Sequence, residues 1–296
     1  MIKETLYKNV KAIKIYNEFI EATILPKDGG KIASLFSCRN KEYLYQNPST
    51  KYLRLSYDGI FAKAECSGFD DMFPTIDEDF VKLNNMDTKY PEHGEICRLS
   101  FDYKIKKDAL ILSAFSSKFG YRYTKKIFIQ NNSIIIDYEI ENNNDYDFPC
   151  LFGLHLLASS TNKGIIETGC NNECYLMFDN KNQFGNNDSF INQTKELLQT
   201  STSIINCYKI YYLDSNNNYV RYKYGYEKEL LLEYDPNIFK NLGLWINNGF
   251  FNNMYCVGIE PCTIAFDNIS NAKKHQQQFV LKPKEKLNTS IKITLS

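Results

Sequence analysis

The sequence predicts an all-β protein built as one large antiparallel β-sandwich, and three observations carry that prediction. The segment ALILSAFSSKFGYRYTKKIFIQNNSIIIDYEIENNND alternates apolar and polar residues through Tyr121, Tyr123, Ile127 and Ile129, then through Ile134, Ile136, Tyr138 and Ile140. A period of two, broken by Gly and Asn-Asn turns, marks an antiparallel meander with one buried face. Aromatic residues reach 15%, with 22 Tyr and 20 Phe, and such side chains suit half-buried pleated surfaces. Helical periodicity is scarce: only INQTKELLQTS and the segment from Asp77 to Met86 have room for a short helix.

The remaining elements follow the same pattern. VRYKYGYEKELLLEYDP and the tail FVLKPKEKLNTSIKITLS continue the strand-like alternation. The Asn-rich patches NNND and SNNNY are loops rather than linkers, because strand patterns resume on both sides of each. No repeat of 20–50 residues is visible, which argues against a propeller or solenoid. A length of 296 residues is within reach of one large β domain, so residues 1–296 are expected to form a single sandwich domain.

Bulk composition narrows the function classes. Hydrophobic residues at 43% and charged residues at 24% are ordinary for a globular protein. Lys+Arg and Asp+Glu are both 35, so no electrostatic footprint for nucleic acid or an anionic membrane is present. No run approaches the roughly 18 apolar residues of a membrane span, and MIKETLYKNVKAIKIYNEF has no apolar core or cleavage signal. A soluble, cytoplasmic protein is expected, as a monomer or homodimer, with no nucleic-acid or membrane partner. The nine cysteines are an odd number without a CxxC pair, which suits free thiols in a reducing compartment. Cys170 and Cys174 lack a second Cys/His pair at ligand spacing, so no metal is expected.

Chemistry concentrates in a few places. YCVGIEPCT ends an apolar strand in Glu260, and a carboxylate there costs desolvation energy unless it is paired or used. Pro261 favours extended geometry at Glu260 and so directs its side chain. His155, in PCLFGLHLLASS, lies in an apolar stretch, whereas a lone histidine there is commonly a hydrogen-bonded core residue. His93, in YPEHGEICRL, sits in a turn, where Glu92 and Glu95 would favour its protonated form. His275, in NAKKHQQQ, reads as a solvated loop residue. In SGFDDMFPT, Asp70 and Asp71 would point to opposite faces of a strand, so that one can enter a pocket. The only tryptophan, Trp245, precedes Glu260 and could stack on a sugar face or serve the core.

Taken in order, GGKIASLFSCRNKEYLY, SGFDDMFPT, PEHGE, GLHLL and GIEPCT resemble the aldose 1-epimerases, or galactose mutarotase-like proteins, in a divergent bacterial branch. The resemblance implies a β-supersandwich and exchange of the α and β anomers of an aldose, with no cofactor. It implies that Glu260 is the catalytic base and His155 the general acid, kept protonated by a nearby acidic group. His93 would contact the substrate; beside what the resemblance implies, Asp70 or Asp71 is expected to take over a polar sugar contact and Trp245 to stack on the sugar. Two departures stand out. The family's Asn-Arg-Ile stretch with a sugar-contacting arginine reads SGFDDMFPT here, and its Gly-x-Asp-His aspartate has no counterpart.

Three other readings compete. A non-catalytic carbohydrate-binding protein on the same fold would need no acid–base pair. A phosphosugar mutarotase would present an Arg/Lys cluster, and Arg54, Arg98 and Arg122 are not gathered by the sequence. A glycoside hydrolase using Asp71 with Glu260 would leave the histidines without a task.

Overall fold

The computed structural model describes residues 1–38, 41–225 and 228–296. Among them, eleven strands form one sheet in the order Ile2–Tyr7, Val10–Tyr16, Ile20–Leu25, Lys31–Ser37, Phe69–Met72, Gly153–Ser159, Tyr255–Cys262, Asn241–Asn248, Asn206–Tyr212, Glu173–Asp179 and Ser189–Asn192. Eight more form a second sheet: Ile165–Thr168, Tyr219–Gly225, Lys228–Tyr234, Lys286–Leu295, Ser133–Asn142, Tyr121–Gln130, Ala109–Ser116 and Asp102–Lys106. Neighbouring strands run antiparallel in both.

The expected meander is present. Tyr121–Gln130 pairs with Ser133–Asn142 around a tight turn, and Tyr121, Tyr123, Ile127, Ile134, Ile136, Tyr138 and Ile140 are all buried. They face the large sheet, whose Leu154, Leu156, Val257 and Ile259 share the same core cluster. Rings interlock at this interface: Phe152 lies 5.4 Å from Tyr138 and 5.2 Å from Phe239, centroid to centroid. The Phe152–Tyr138 pair meets edge to face and the Phe152–Phe239 pair is tilted; an aromatic pair of edge-to-face geometry adds roughly 0.5–1.5 kcal/mol beyond area burial.

Two helix expectations are corrected. Asp79–Leu83 is a strand hairpinned to Met86–Tyr90, with Val81 and Leu83 buried and Phe80 and Lys82 exposed. The alternation in DFVKL decides it, and Asn84 and Asn85 supply the positive φ values, 47° and 64°, that a two-residue hairpin requires. INQTKELLQTS yields only a 3-10 turn, Glu196–Leu198. The one α-helix among the described residues, Ile269–Lys274, is instead capped by the Asn268 side chain, which accepts from the Asn271 N–H. His275 ends this helix, exposed and stacked on Phe266 at 3.8 Å.

Candidate active site

The register of the large sheet assembles the site. Asp70 pairs with His155, and the register that sets Leu156 opposite Ile259 places His155 opposite Glu260. Glu260 pairs in turn with Gly243, and Gly243 with Tyr211. These five residues form one rung across five strands. Because strand side chains alternate between faces, the rung looks away from the second sheet. The next rung facing the same way carries Gly258, Trp245 and Lys209.

The two glycines in these rungs make room for Glu260. A Cβ on Gly258 would fall 2.8 Å from Glu260 Oε1 and 3.1 Å from Trp245 Cβ. One on Gly243 would fall 2.9 Å from the Tyr211 ring and 3.3 Å from Glu260 Cβ.

Above the rungs lies a cavity of about 230 Å³. Glu260, His155, Lys209 and Asp267 form its inner part, while Phe61, Trp245, Phe251 and Phe178 supply aromatic wall. Asp77, Glu92 and His93 complete the lining on the side of the Thr75–Asp77 loop. That loop is tied down by backbone bonds from the Ile76 and Asp77 N–H groups to the Asp267 carbonyl, at 3.0 and 2.7 Å. His93 arrives on a strained turn. Its φ is 58°, in the left-handed region that costs a non-glycine residue of order 1–3 kcal/mol, and its ring stacks on Phe61 at 3.6 Å. Gly94 next to it is obligatory, since a Cβ there would lie 2.2 Å from the Phe73 carbonyl oxygen.

Electrostatics centre on one ammonium group. Lys209 Nζ lies 2.7 Å from Glu260 Oε2 and 2.6 Å from Asp267 Oδ1, and the Tyr211 hydroxyl also donates to Asp267 Oδ1. Burial opposes the charge on Lys209, but the Asp267 and Glu260 carboxylates outweigh it and hold its pKa above the ordinary lysine value. Burial raises the pKa of Glu260; Lys209 pulls it back and Asp267 pushes it up again. Asp77 stands at the cavity rim with its outer surface exposed, yet the protein packed on its inner side and the nearby Asp267 carboxylate raise it to about 6.

The histidines depart from the sequence expectation of imidazolium. Burial lowers His155 to about 4 despite the favourable Asp70 carboxylate, and burial together with His155 lowers His93 well below its usual value. Glu95 does not serve His93, because it accepts from the Tyr57 and Tyr121 hydroxyls instead. Both imidazoles are therefore neutral at pH 7. Their Nδ1 atoms are buried without a hydrogen-bond partner among the described residues. The two rings meet edge to face at 4.9 Å.

No family model matches the chain, and no curated protein matches it. Solved structures do. A galactose mutarotase-like protein from Clostridium acetobutylicum superposes with a TM-score of 0.71 at 16% identity, over 100% of this chain and 98% of that one. One from Lactobacillus casei gives 0.71 at 15%, over 96% and 100%. A provisionally assigned aldose 1-epimerase from Klebsiella pneumoniae gives 0.74 at 12%, over 98% and 81%. The chain has the galactose mutarotase-like fold.

On this mutarotase-like scaffold, Glu260, His155, His93 and Trp245 converge on one cavity, whereas Asp70 and Asp71 do not reach it. Asp71 points into the core between the sheets, where Lys125 Nζ lies 2.7 Å away and the Tyr138 hydroxyl donates at 3.0 Å. Asp70 shares the face of His155 but is buried beside it, with Lys31 Nζ at 3.1 Å. The two carboxylates do take opposite faces, and each is committed to a lysine. Sequence reasoning passed over Lys209, Tyr211, Asp267 and Asp77. Lys209 carried a usable signal: a charge inside CYKIYYL, in a strand buried along its whole length, is the same anomaly that singled out Glu260.

Proposed function

We propose that the protein is an aldose 1-epimerase that interconverts the α and β anomers of an unphosphorylated hexose. The observation that carries this reading is the single rung that sets His155 beside Glu260 at the base of an aromatic-walled cavity. Anomer exchange needs a base for the C1 hydroxyl proton and a proton donor for the ring oxygen. Ring opening gives an aldehyde, rotation about C1–C2 follows, and the reverse transfer closes either face. Glu260 serves as the base, and burial moves its proton affinity toward the working range of such a group. His155, neutral, donates from an imidazole N–H rather than from an imidazolium. Positioned acid–base groups contribute about 10²–10⁴-fold each, a useful factor for a reaction that already proceeds in water.

The charge of the lining favours a free sugar over a sugar phosphate. Asp77, Glu92, Glu260 and Asp267 face the cavity, and Lys209, the one cation in the lining among the described residues, is already paired with two of them. An anionic substituent has no partner there. A non-catalytic sugar-binding role would leave the alignment of Glu260 with His155 without a use. Polarimetry of freshly dissolved α-D-glucose or α-D-galactose tests the reading. The wild-type chain should speed equilibration, and Glu260→Gln should abolish the acceleration with unchanged circular dichroism. Full activity in Glu260→Gln would overturn the assignment of the base.

A further inference from the structure

We propose that Lys209, anchored by Asp267 and Tyr211, is a positioning residue that keeps Glu260 ionised and aimed into the cavity. The inference rests on the mutarotase reading for its catalytic consequence, but its electrostatic content stands on the geometry alone.

A base must be ionised before it can accept a proton, and Glu260 is buried, where a solitary carboxylate favours its neutral form. Among the described residues, no backbone group or histidine donates a hydrogen bond to Glu260 Oε2; the ammonium at 2.7 Å is what offsets the desolvation. Lys209 is itself fixed on three sides. Asp267 Oδ1 accepts from its Nζ at 2.6 Å, Glu260 lies opposite, and the face of Tyr211 lies 5.3 Å from Nζ. Tyr211 reaches the same Asp267 oxygen through its hydroxyl, so anchor and ammonium are locked together. Lys209 and Tyr211 stand two residues apart on Asn206–Tyr212 and so share one face, while Asp267 arrives from the turn that follows the Glu260 strand. With Asp267 balancing the ammonium, proton uptake by Glu260 leaves a Lys209–Asp267 pair in place of an unpaired buried charge. That exchange is cheaper than creating a charge in low dielectric.

The test reads the Glu260 carboxyl directly, by carbon-13 NMR titration of glutamate-labelled protein with Glu260→Gln used to assign the signal. In Lys209→Met the Glu260 titration should move up by at least one pH unit, and the acidic limb of kcat/KM should move with it. Activity lost at pH 7 should then return toward higher pH, and Lys209→Arg should hold both near wild type. Asp267→Asn gives the opposite sign, because Lys209 then serves Glu260 alone and its titration moves down; this variant decides the matter if Lys209→Met does not fold. An unmoved Glu260 titration in the folded variants overturns the inference. Shifted titrations in a protein that accelerates no aldose would uphold the role of Lys209 toward Glu260 and sink the mutarotase reading instead.

Discussion

At the scale of single residues, the cavity holds two imidazoles that carry no charge at pH 7. An imidazolium acid loses its proton as pH rises through about 6.5, so activity that depended on one would fall across that range. His155, lowered to about 4 by burial, stays neutral there and has no such loss to suffer. The raised carboxyl of Glu260 acts on the other side: activity is present above its pKa and is lost as pH falls through it. We expect kcat/KM of the wild-type protein to rise from acid pH as Glu260 ionises and to show no decline centred near pH 6.5, roughly the ordinary histidine range. A decline centred near 6.5 in stopped-flow or polarimetric profiles would show that His155 works as an imidazolium after all.

At the scale of strands, the site depends on what is missing from the rungs as much as on what is present. Gly258 and Gly243 flank Glu260 on its own strand and on the next, and their absent side chains leave space for the carboxylate. Gly258→Ala puts a methyl group 2.8 Å from Glu260 Oε1, and the carboxylate is the mobile partner that must yield. A displacement of about 1 Å at a reacting group can cost on the order of 10²-fold. The expected outcome is therefore a drop of that size in kcat/KM with a stability loss of about 1–3 kcal/mol, typical of overpacking. Denaturant melts measured beside the kinetics check both halves; unchanged kinetics would mean that Glu260 does not need this space. The strand scale also explains the misread segment from Asp77 to Met86, where hairpin chemistry at Asn84 and Asn85 outweighs helix-compatible composition.

At the scale of the molecule, the two sheets are joined by an aromatic interface and by a buried ion pair. Asp71 of the large sheet meets Lys125 of the second at 2.7 Å, and Lys125 also donates to the Gly29 and Gly30 carbonyls at 3.1 and 2.9 Å. Removing one partner of a buried pair typically costs about 3–5 kcal/mol, because the survivor is left charged in low dielectric. Lys125→Met should therefore destabilise the protein by that amount in chemical denaturation. Lys125→Met combined with Asp71→Leu should recover much of the loss; equal losses in the single and double variants would show that the pair's charge is not what matters. SGFDDMFPT thus supplies the join between sheets through Asp71 and a buried carboxylate beside His155 through Asp70.

The sequence by itself determined the central meander and its inward face, since period-two alternation is a local property that burial enforces residue by residue. It also marked Glu260 and His155, because a polar side chain inside an apolar run stands out without any knowledge of its neighbours. Sheet order and register decided the rest. Lys209 and Asp267 are separated by 58 positions and flank Glu260 only because Asn206–Tyr212 lies one strand beyond the partner of Tyr255–Cys262. The charge state of the histidines was likewise a tertiary matter, for it depends on how much water the folded walls exclude and on which acids face them. Adjacent glutamates in the chain, Glu92 and Glu95, are no guide to either.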